Sequence, residues 1–396
     1  MNILVLTPWF PDHVHDQRGN FILDSIDSLC ALGHRVHVLV TRPFVPNFSS
    51  AMQWRGGSSI KSEMYERGFS LSFVHYGSIP RFYLRFISNH LHVIGCAGAV
   101  RRIVAESGID VILAHTETSG YLACAVADQI AIPVVTVVHG IETSWRYQHG
   151  FGQPAFLRRA FSRPQRLVLV GQPLFDFVRK HVDSFEHVRV VYNGFRESGA
   201  APFRNRRVFD RPDFVQMVSV SNLVDGKGID VNLAALGRPE IIALPNWHYH
   251  IVGGGPLRHA LETKANELHI AERVTFHGQC DHNVVFQLLS KCDLFCLPSS
   301  PEAFGVAYLE AMACGLLSIG VQGQGPSCFI EDGQTGILIR ERDAEGLSLQ
   351  FATIFNNPEC YVQMAAAGRD YVWNNYTWQR YAESLTQVFS EIVNDK

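Results

Sequence analysis

Short apolar runs alternate with stretches of helical periodicity through the first half of the chain. The run NILVLT at 2–7 ends in a proline-containing loop, and residues 21–32 then place apolar side chains on one helical face before Gly33. Such runs are typical of strands buried on both faces of a parallel sheet, linked by right-handed helical crossovers. The other predicted strands of this half are 36–41, 70–75, 110–114, 133–138, 166–170 and 188–192, and the helices between them are 90–107, 119–131 and 172–182. The pattern predicts a doubly wound α/β domain.

The alternation pauses at 196–213, a polar, basic and proline-containing segment that predicts a linker. It then resumes with predicted strands at 214–221, 249–255, 273–278, 293–299, 316–321 and 336–340. A last amphipathic helix is predicted over 375–393. The predicted organisation is a domain at 1–195, the linker 196–213, a second domain at 214–375 and the terminal segment 376–396. We expect two Rossmann-like domains facing across a cleft, because ligands bind where loops leave the carboxyl ends of parallel strands.

Composition narrows the class of protein. Of the 396 residues, 47% are apolar and 18% are charged, which excludes an intrinsically disordered chain. A net charge of -3 argues against a general nucleic-acid binder, which would carry a strong basic surplus. Nine cysteines without a CxxC pair indicate reduced thiols. The N-terminal run lacks a basic flank and no window approaches the roughly 20 apolar residues of a membrane span, so we expect a cytoplasmic protein.

Positive charge is concentrated in the first half of the chain. Residues 1–198 hold 19 Lys and Arg against 15 Asp and Glu, whereas 199–396 hold 15 against 22. A local cluster is interleaved with apolar residues and consists of Arg158, Arg159, Arg163 and Arg166. A basic helix of this kind can lie on an anionic membrane, at the inner face for a cytoplasmic protein. The alternatives are a solvated helix face, or arginines that meet acids of the other domain.

The segment 293–315 carries the most informative chemistry. It predicts a strand to Leu297, a loop that contains Glu302, and a helix from near Val306 that ends at Gly315. Free N–H groups at a helix N-terminus form an anion site by geometry and dipole, and a glycine before the helix lets a ligand approach the backbone. Two carboxylates near such a site suit sugar and ribose hydroxyls. By itself, a pair of glutamates eight residues apart is more often solvated surface.

Taken with its neighbours, this segment resembles the E-x7-E signature of family-4 retaining glycosyltransferases, which have the GT-B fold and include enzymes of bacterial surface polysaccharides. Other blocks follow in the family's order: DQRGNF at 16–21, ALGHRVHVL at 31–39, VVHGIE at 137–142, VVYNG at 190–194, LVDGKGID at 223–230, VGGGP…VTFHG at 252–278 and IEDGQTGILI at 330–339. The resemblance covers nearly the whole chain. It is specific for the family and much less so for the sugar that is moved.

The resemblance implies a role for each matching residue on the donor side. Glu310 would bind the ribose hydroxyls and Glu302 the donor sugar. The N–H groups of Phe304, Gly305 and Val306 would bind the diphosphate, whose departing charge Lys227 would neutralise. The full set predicted to bind the nucleotide sugar is Gly19, Asn222, Lys227, Gly254, His277, Glu302, Ala303, Phe304, Gly305, Val306 and Glu310. No metal is then required, and no Asp-x-Asp motif is present to hold one.

A second set of residues belongs to the first half. His139, at the end of the predicted strand 133–138, resembles the family's histidine that contacts the donor sugar near the reacting carbon. With Lys227 and Glu302 it forms the predicted catalytic set, and Glu142 and Asn193 are weaker candidates on the acceptor side. Read without the resemblance, a lone histidine is more often a structural residue.

Three positions depart from the family's pattern. Asn222 stands where the family often has an arginine on the diphosphate, Arg196 replaces the aspartate of the NGvD block, and Ser327 lies near the usual acid of a GGxxE-type loop. One phosphate cation is therefore missing, and the sequence does not show what replaces it.

The function that the resemblance implies is retaining transfer of a sugar from a nucleoside diphosphate, UDP or GDP, to a hydroxyl of a glycan or of a lipid-diphosphate-linked acceptor. No further cofactor is expected, and no nucleic acid. Two alternatives keep the fold: a sugar-nucleotide epimerase, and a non-catalytic subunit of a glycan assembly complex. The intact Glu302, Glu310 and Lys227 argue against the second alternative, and the E-x7-E and lysine blocks argue against the first.

Overall fold

The computed structural model describes residues 1–11, 19–44, 68–78, 85–140, 153–211 and 214–393. The chain divides into two compact units. Unit 1 consists of Met1–Tyr192 together with Gln379–Lys396, and unit 2 consists of Asn193–Trp378.

Unit 1 is built on a parallel sheet of seven strands in the order β3-β2-β1-β4-β5-β6-β7. The strands are β1 Asn2–Thr7, β2 Arg35–Phe44, β3 Ser70–Gly77, β4 Val111–His115, β5 Val134–Val138, β6 Arg166–Leu169 and β7 Val188–Val190. Every residue of β4 and β5 is buried. Their continuous apolar runs therefore reflect a sheet that is covered on both faces.

Five helices connect the described strands of unit 1: α1 Asn20–Ala31, α2 Arg85–Ser107, α3 Glu117–Ile130, α4 Gln153–Ser162 and α5 Leu174–Val178. The first begins at Gly19, whose carbonyl accepts the N–H groups of Ile22 and Leu23. The last is shorter than the predicted helix 172–182, because the chain leaves it through a turn in which His181 N–H donates to the carbonyl of Val178.

Unit 2 holds a second parallel sheet, of six strands in the order β10-β9-β8-β11-β12-β13. The strands are β8 Val215–Val220, β9 Trp247–Val252, β10 Val274–Gly278, β11 Leu294–Cys296, β12 Leu317–Val321 and β13 Ile337–Ile339. The helices are α6 Glu197–Ala200, α7 Ile229–Leu236, α8 Pro239–Ile242, α9 Arg258–Glu267, α10 His282–Leu289, α11 Val306–Ala313, α12 Ala344–Asn356 and α13 Val362–Asn375.

The described part of the segment predicted as a linker, residues 196–211, belongs to unit 2. It contains α6 and a 3-10 turn at Ala201–Phe203, and Val208 and Phe209 are buried. The fully buried carboxylate of Asp293 lies 3.2 Å from Arg206 Nη2 and accepts the N–H of Phe209 at 2.9 Å. A buried charge requires such partners, so Arg206 ties this otherwise largely exposed segment to unit 2.

The last helix, α14 Trp378–Val393, packs through its 379–393 part in unit 1. Its buried face consists of Tyr381, Ala382, Leu385, Val388, Phe389 and Ile392. On its border, Glu391 lies 2.8 Å from Arg166 Nε and 2.9 Å from Arg189 Nη2. Among the helices within the described ranges, none combines the length and the apolar character needed to cross a bilayer.

Candidate active site

The strand order of unit 2 brings two distant loops together. From β8 the chain moves outward to β9 and β10, and then returns to place β11 on the other side of β8. At such a switch point the loops that leave the two central strands diverge and form a crevice. Lys227 lies in the loop after β8 and Glu302 in the loop after β11. Lys227 Nζ donates to Glu302 Oε2 at 2.8 Å.

Two glycines allow these loops to touch. A Cβ on Gly228 would lie 2.2 Å from the carbonyl oxygen of Pro298, and Gly228 also has a φ of +72°. Ser300 N–H donates to the carbonyl of Gly226 at 2.8 Å. Only a glycine accepts both the close approach and the positive φ, so Gly228 sets the position of Lys227.

Glu302 is held on several sides. Ser299 Oγ donates to Glu302 Oε2 at 3.2 Å, and Glu302 N–H donates to Gln324 Oε1 at 2.9 Å. The N–H of Gly325 donates to the carbonyl of Glu302. The loop after β12 therefore fixes the backbone of Glu302 while Lys227 and Ser299 fix its carboxylate.

The N-terminus of α11 lies directly beyond this carboxylate. Gly305 precedes the helix with a φ of +99°, and a Cβ there would lie 2.7 Å from the ring of Tyr308. Phe304 and Ala303 are buried, whereas Gly305 and Val306 are partly exposed. The first amides of a helix lack partners within the helix, so this end offers N–H donors and a positive dipole beside the Lys227 ammonium.

Glu310 lies inside α11 and is only 6% exposed. Its Oε1 accepts a hydrogen bond from His282 Nε2, at the start of α10, at 2.7 Å. The carboxylate thus keeps further acceptor positions available for hydroxyl groups. Glu302 and Glu310 flank the helix N-terminus as predicted from the segment 293–315.

The remaining predicted donor-site residues of unit 2 lie in the loops after β8 and β9 and near the end of β10. Asn222 is exposed, and Gly254 accepts the N–H of Leu223 at 2.9 Å through its carbonyl. His277 Nε2 forms a hydrogen bond of 3.0 Å with His250 Nδ1 on the face of the sheet. His277 is therefore engaged with a neighbouring strand, while its ring remains partly exposed.

In unit 1 the switch point lies between β1 and β4. Gly19 follows β1 with a φ of +78°, and a Cβ there would lie 2.7 Å from the carbonyl oxygen of Trp9. The hydroxyl of Thr7 bonds to both the N–H and the carbonyl of Trp9 at 3.0 Å. The loop and the first turn of α1 are thereby held close together, and this close approach requires the glycine.

His139 follows β5 in the same unit. Its Nε2 lies 2.8 Å from Nδ1 of His115, the last residue of β4, and its ring centroid lies 4.9 Å from that of Phe21. Burial lowers the pKa of His115 to about 3. Burial, together with the charge that His115 would carry, holds the pKa of His139 well below its usual range. Both rings are therefore neutral at physiological pH.

Of the two predicted acceptor-side residues, the structure describes only Asn193. Asn193 is buried in unit 2, and its Oδ1 has no hydrogen-bond partner within the described part of the chain. Glu142 belongs to 141–152 and lies outside the described residues.

Across the residues that the structure describes, no three His, Cys, Asp or Glu side chains are grouped so that they could hold a metal ion. Cys292 and Cys296, four positions apart in unit 2, are buried free thiols.

Four contacts of the site were not identified from the sequence: Ser299, Gln324, His282 and His115. The sequence does indicate His115, because it is the last residue of an apolar strand and His139 directly follows the next strand, β5. The other three act through contacts with residues 3, 22 and 28 positions away, and nothing in the local pattern indicates such pairs.

Family models match most of the chain. The model described as "Glycosyltransferase Family 4" matches residues 19–198, and that described as "Glycosyl transferases group 1" matches residues 204–371. Unit 1 and unit 2 thus each carry one of the two matches.

Curated relatives are moderately similar in sequence. A glycogen synthase of Mycobacterium tuberculosis is 27% identical over 290 residues, which cover 71% of this chain and 68% of that protein. A GDP-mannose-dependent monoacylated alpha-(1-6)-phosphatidylinositol monomannoside mannosyltransferase of Corynebacterium glutamicum is 27% identical over 309 residues, covering 74% and 79%.

Solved structures share the fold over full length. Sucrose-phosphate synthase from Thermosynechococcus elongatus superposes with a TM-score of 0.75 at 18% identity, covering 100% of both chains. HepE from Anabaena in complex with UDP superposes with a TM-score of 0.71 at 18% identity, covering 99% of this chain and 100% of that one.

Proposed function

Since this chain belongs to glycosyltransferase family 4 and has the GT-B fold, we propose that it transfers a hexosyl group, with retention, from a nucleoside-diphosphate sugar to a hydroxyl of a glycan or lipid-linked acceptor in polysaccharide or glycolipid biosynthesis. The observation that carries the proposal is the Lys227–Glu302 pair at the switch point of unit 2, beside the N-terminus of α11.

This arrangement suits a nucleoside-diphosphate sugar. The diphosphate would accept hydrogen bonds from the amides at 304–306 and would pair with the ammonium of Lys227. Glu302, released from Lys227, would then accept hydrogen bonds from the sugar hydroxyls. Glu310 would accept those of the ribose. UDP or GDP is the proposed nucleotide: UDP is bound in the HepE structure, and the Corynebacterium relative depends on GDP-mannose.

Lys227 would also stabilise the negative charge of the leaving diphosphate. As the bond between the anomeric carbon and the phosphate oxygen breaks, negative charge develops on the diphosphate, and a fixed ammonium stabilises it more than it stabilises the ground state. We propose that this cation and the helix N-terminus replace a metal ion.

Retention follows if the acceptor hydroxyl attacks from the face that the diphosphate leaves. The new bond joins the acceptor oxygen to the anomeric carbon, and the hydroxyl proton passes to an oxygen of the leaving phosphate. The site of unit 2, rich in phosphate-binding groups, suits this front-side course, in which no protein carboxylate acts as a nucleophile.

The donor assignment is tested by thermal unfolding with UDP, GDP, ADP, TDP and CMP, with and without their sugars. We expect one uridine or guanosine nucleotide to raise the melting temperature, and Lys227→Ala to reduce that shift. Lys291→Ala, an exposed lysine at the end of α10, is the matched control and should respond as the wild type does. The proposal is wrong if no nucleotide raises the melting temperature, or if Lys227→Ala keeps the full shift.

The reaction itself is tested once a donor is known. Incubation with that nucleotide sugar and candidate acceptors should yield free nucleotide and an α-linked product, identified by the anomeric coupling in an NMR spectrum. An isomerised nucleotide sugar would indicate an epimerase instead, and binding without turnover would indicate a non-catalytic subunit.

We further propose that unit 1 contacts an anionic membrane, so that a lipid-linked acceptor meets the enzyme at the cytoplasmic face. Two arginines of the basic cluster are available to contact anionic lipid headgroups. Arg158 and Arg159 are exposed on α4 and have no carboxylate partner among the described residues. Arg163 instead pairs with Asp128 at 2.7 Å, and Arg166 pairs with Glu391. On α2, which packs against α4, Ile94 is 76% exposed and supplies an apolar contact.

Cosedimentation with vesicles of phosphatidylglycerol and phosphatidylcholine tests the contact. We expect the double variant Arg158→Glu/Arg159→Glu to lose binding, whereas Arg179→Glu/Lys180→Glu, an exposed basic pair elsewhere in unit 1, keeps it. Equal binding by the two double variants would contradict the proposal that α4 makes the membrane contact.

A further inference from the structure

The imidazole that contacts Glu310 comes from a different part of the carboxyl edge of the sheet in unit 2. α10 begins at His282, after the short connection 279–281 from β10, whereas Glu310 lies one turn inside α11, which follows β11. In the sheet, β9 and β8 separate β10 from β11. The hydrogen bond of 2.7 Å between His282 Nε2 and Glu310 Oε1 therefore joins two helix starts that follow strands without a common ladder.

The two groups at this hydrogen bond have fixed roles. An ionised carboxylate accepts and cannot donate, so Nε2 of His282 must carry the N–H. The other ring nitrogen, Nδ1, is buried and has no hydrogen-bond partner within the described part of the chain. A proton on Nδ1 would be a buried donor without an acceptor, which is rarer in proteins than a buried acceptor without a donor. The geometry therefore fits a ring that holds one proton, on Nε2.

The His282 ring is also held on one of its faces. His282 and Phe286 lie one turn apart on α10, and their rings stack with centroids 5.0 Å apart and planes inclined by 28°. Phe286 is buried, and a Cβ on Gly199 of α6 would lie only 2.2 Å from its ring. This packing limits the movement of Phe286 and thereby of the imidazole stacked on it.

The hydrogen bond leaves the second oxygen of Glu310 available. Oε2 has no hydrogen-bond partner among the described residues and is not enclosed by protein. Because Oε1 is bound, the carboxylate cannot turn freely, and Oε2 keeps its lone pairs directed to one place. An imidazole with one proton donates without adding a positive charge, so the carboxylate keeps its full charge, and hydrogen bonds to a charged acceptor are the stronger ones.

We propose that His282 is a positioning residue: its Nε2–H fixes Oε1 of Glu310, so that Oε2 accepts a hydrogen bond from a ribose hydroxyl of the nucleotide. The inference rests on the proposed function, in which Glu310 binds the ribose. It adds that the preference for a ribonucleotide over a deoxyribonucleotide depends on His282, which acts through Glu310. A histidine that only stabilised the packing of unit 2 would leave this preference unchanged.

Three substitutions separate the donor from the space that the ring fills. His282→Leu fills the space without a donor. His282→Gln restores the donor, because the amide nitrogen of glutamine can occupy the place of the imidazole Nε2. His282→Asn is polar as well, but its shorter side chain puts the amide nitrogen near the place of Nδ1, away from Glu310. His259→Leu is the matched control, since His259 is an exposed histidine on α9 of the same unit.

The probes are UDP, GDP and the 2′-deoxy and 3′-deoxy forms of each, and titration calorimetry on the full chain measures their affinities. We expect the wild type to bind its preferred ribonucleotide about tenfold or more tightly than at least one of the deoxy forms, because a hydrogen bond to a charged group is lost. In His282→Leu and His282→Asn this ratio should fall to about threefold or less, whereas His282→Gln and His259→Leu should stay within about twofold of the wild-type ratio.

A double variant asks whether His282 acts through Glu310. His282→Leu/Glu310→Gln should show the same ratio as Glu310→Gln, because residues that act as one unit are not additive. A wild-type ratio in His282→Leu, or losses that add in the double variant, would overturn the inference. Should His282→Leu not fold, the glutamine and asparagine variants decide, and equal ratios in those two would overturn it.

The wild-type protein separates failure of the inference from failure of the proposed function. Binding of a nucleotide with equal affinity for its ribose and deoxyribose forms would contradict the ribose contact of Glu310 and the inference with it, while the nucleotide site would stand. Binding of none of the probes would contradict the proposed function itself.

Discussion

At the scale of single residues, each of the two carboxylates in the candidate site of unit 2 accepts a hydrogen bond from a neighbouring side chain. Lys227 pairs with Glu302, and Glu310 pairs with His282. Partly buried charges cost free energy without partners, and these contacts supply them. A nucleoside-diphosphate sugar would replace them with its own phosphate and hydroxyl groups.

The first prediction concerns Glu310. Glu310→Ala should weaken nucleotide binding by about tenfold or more, because hydrogen bonds from hydroxyls to a charged carboxylate are worth about 1.5–3 kcal/mol each. Titration calorimetry with the nucleotide found by thermal shift measures the change. Glu345→Ala, an exposed acid at the start of α12, should bind as the wild type does. Equal nucleotide affinities of the two variants would contradict the proposal that Glu310 binds the ribose.

At the scale of elements, loops that follow neighbouring strands form the site, and glycines determine how closely the loops approach. Gly228 packs on Pro298, and Gly325 packs so closely on Phe304 that a Cβ would lie 2.4 Å from its backbone. The carboxyl ends of β8, β11 and β12 thereby converge on Glu302. Substitutions at these contacts should act on the site even though they remove no functional group.

The second prediction follows from that packing. Gly228→Ala should reduce the nucleotide-induced thermal shift and lower the melting temperature, because its Cβ meets the Pro298 carbonyl at 2.2 Å. Gly333→Ala is the control: Gly333 has a similar φ of +74° but no atom within 4 Å of the added Cβ. If both variants behave alike, backbone strain and not the close approach explains the effect.

The third prediction concerns three histidines on adjacent strands of unit 2. His250 contacts His277 and Gln216, and the ring of His248, bonded to Thr275, lies 4.8 Å from that of His250. Burial, and then the charges that His248 and His277 would carry, lower the pKa of His250 to about 4. Burial also lowers the pKa of His248 and of His277.

Since the unfolded chain binds protons at these sites below about pH 6.5 and the folded chain binds them only at lower pH, stability should fall as the pH drops from about 6.5 toward 4. Urea unfolding between pH 7 and 5 measures the effect. His250→Gln should make the fall smaller by about 1 kcal/mol, given the partial exposure of the ring. An unchanged pH dependence in that variant would show that other groups dominate.

At the scale of the whole molecule, each unit is a separate parallel sheet with its own core, and the chain returns to unit 1 at its end. The returning helix contributes a full apolar face and an acid that pairs with two arginines. Although burial raises the pKa of Glu391, hydrogen bonds and charge from Arg166 and Arg189 lower it overall.

The fourth prediction is that removal of 379–396, the part of the terminal segment that belongs to unit 1, destabilises unit 1. Six buried apolar side chains would be lost, of which Leu385, Val388, Phe389 and Ile392 are worth about 1.5–3 kcal/mol each, and the sum of these four is comparable to the usual stability of a domain. Hydrogen exchange read by mass spectrometry should show loss of protection in the strands of unit 1 and retained protection in those of unit 2. A truncated protein with the wild-type melting temperature would contradict this.

The family and the fold of two doubly wound α/β units were predicted from the sequence and are confirmed. Most strand boundaries agree within one or two residues, because a buried parallel strand must be apolar along its whole length. The segment 196–213 was predicted as a linker from its polar composition, and its contact with unit 2 could not be predicted, because Asp293, the partner of Arg206, lies 87 positions away.

What the sequence by itself determined is therefore local or compositional: the buried strands, the helix after Gly305, and the glutamates eight residues apart on either side of its N-terminus. What the tertiary structure decided is which distant groups meet. Lys227 reaches Glu302 across 75 positions, His115 reaches His139 across 24, and His282 reaches Glu310 across 28. Periodicity reports only which face of an element is buried. Strand order and the close approach of glycines decide which strand ends lie side by side, and the site is formed there.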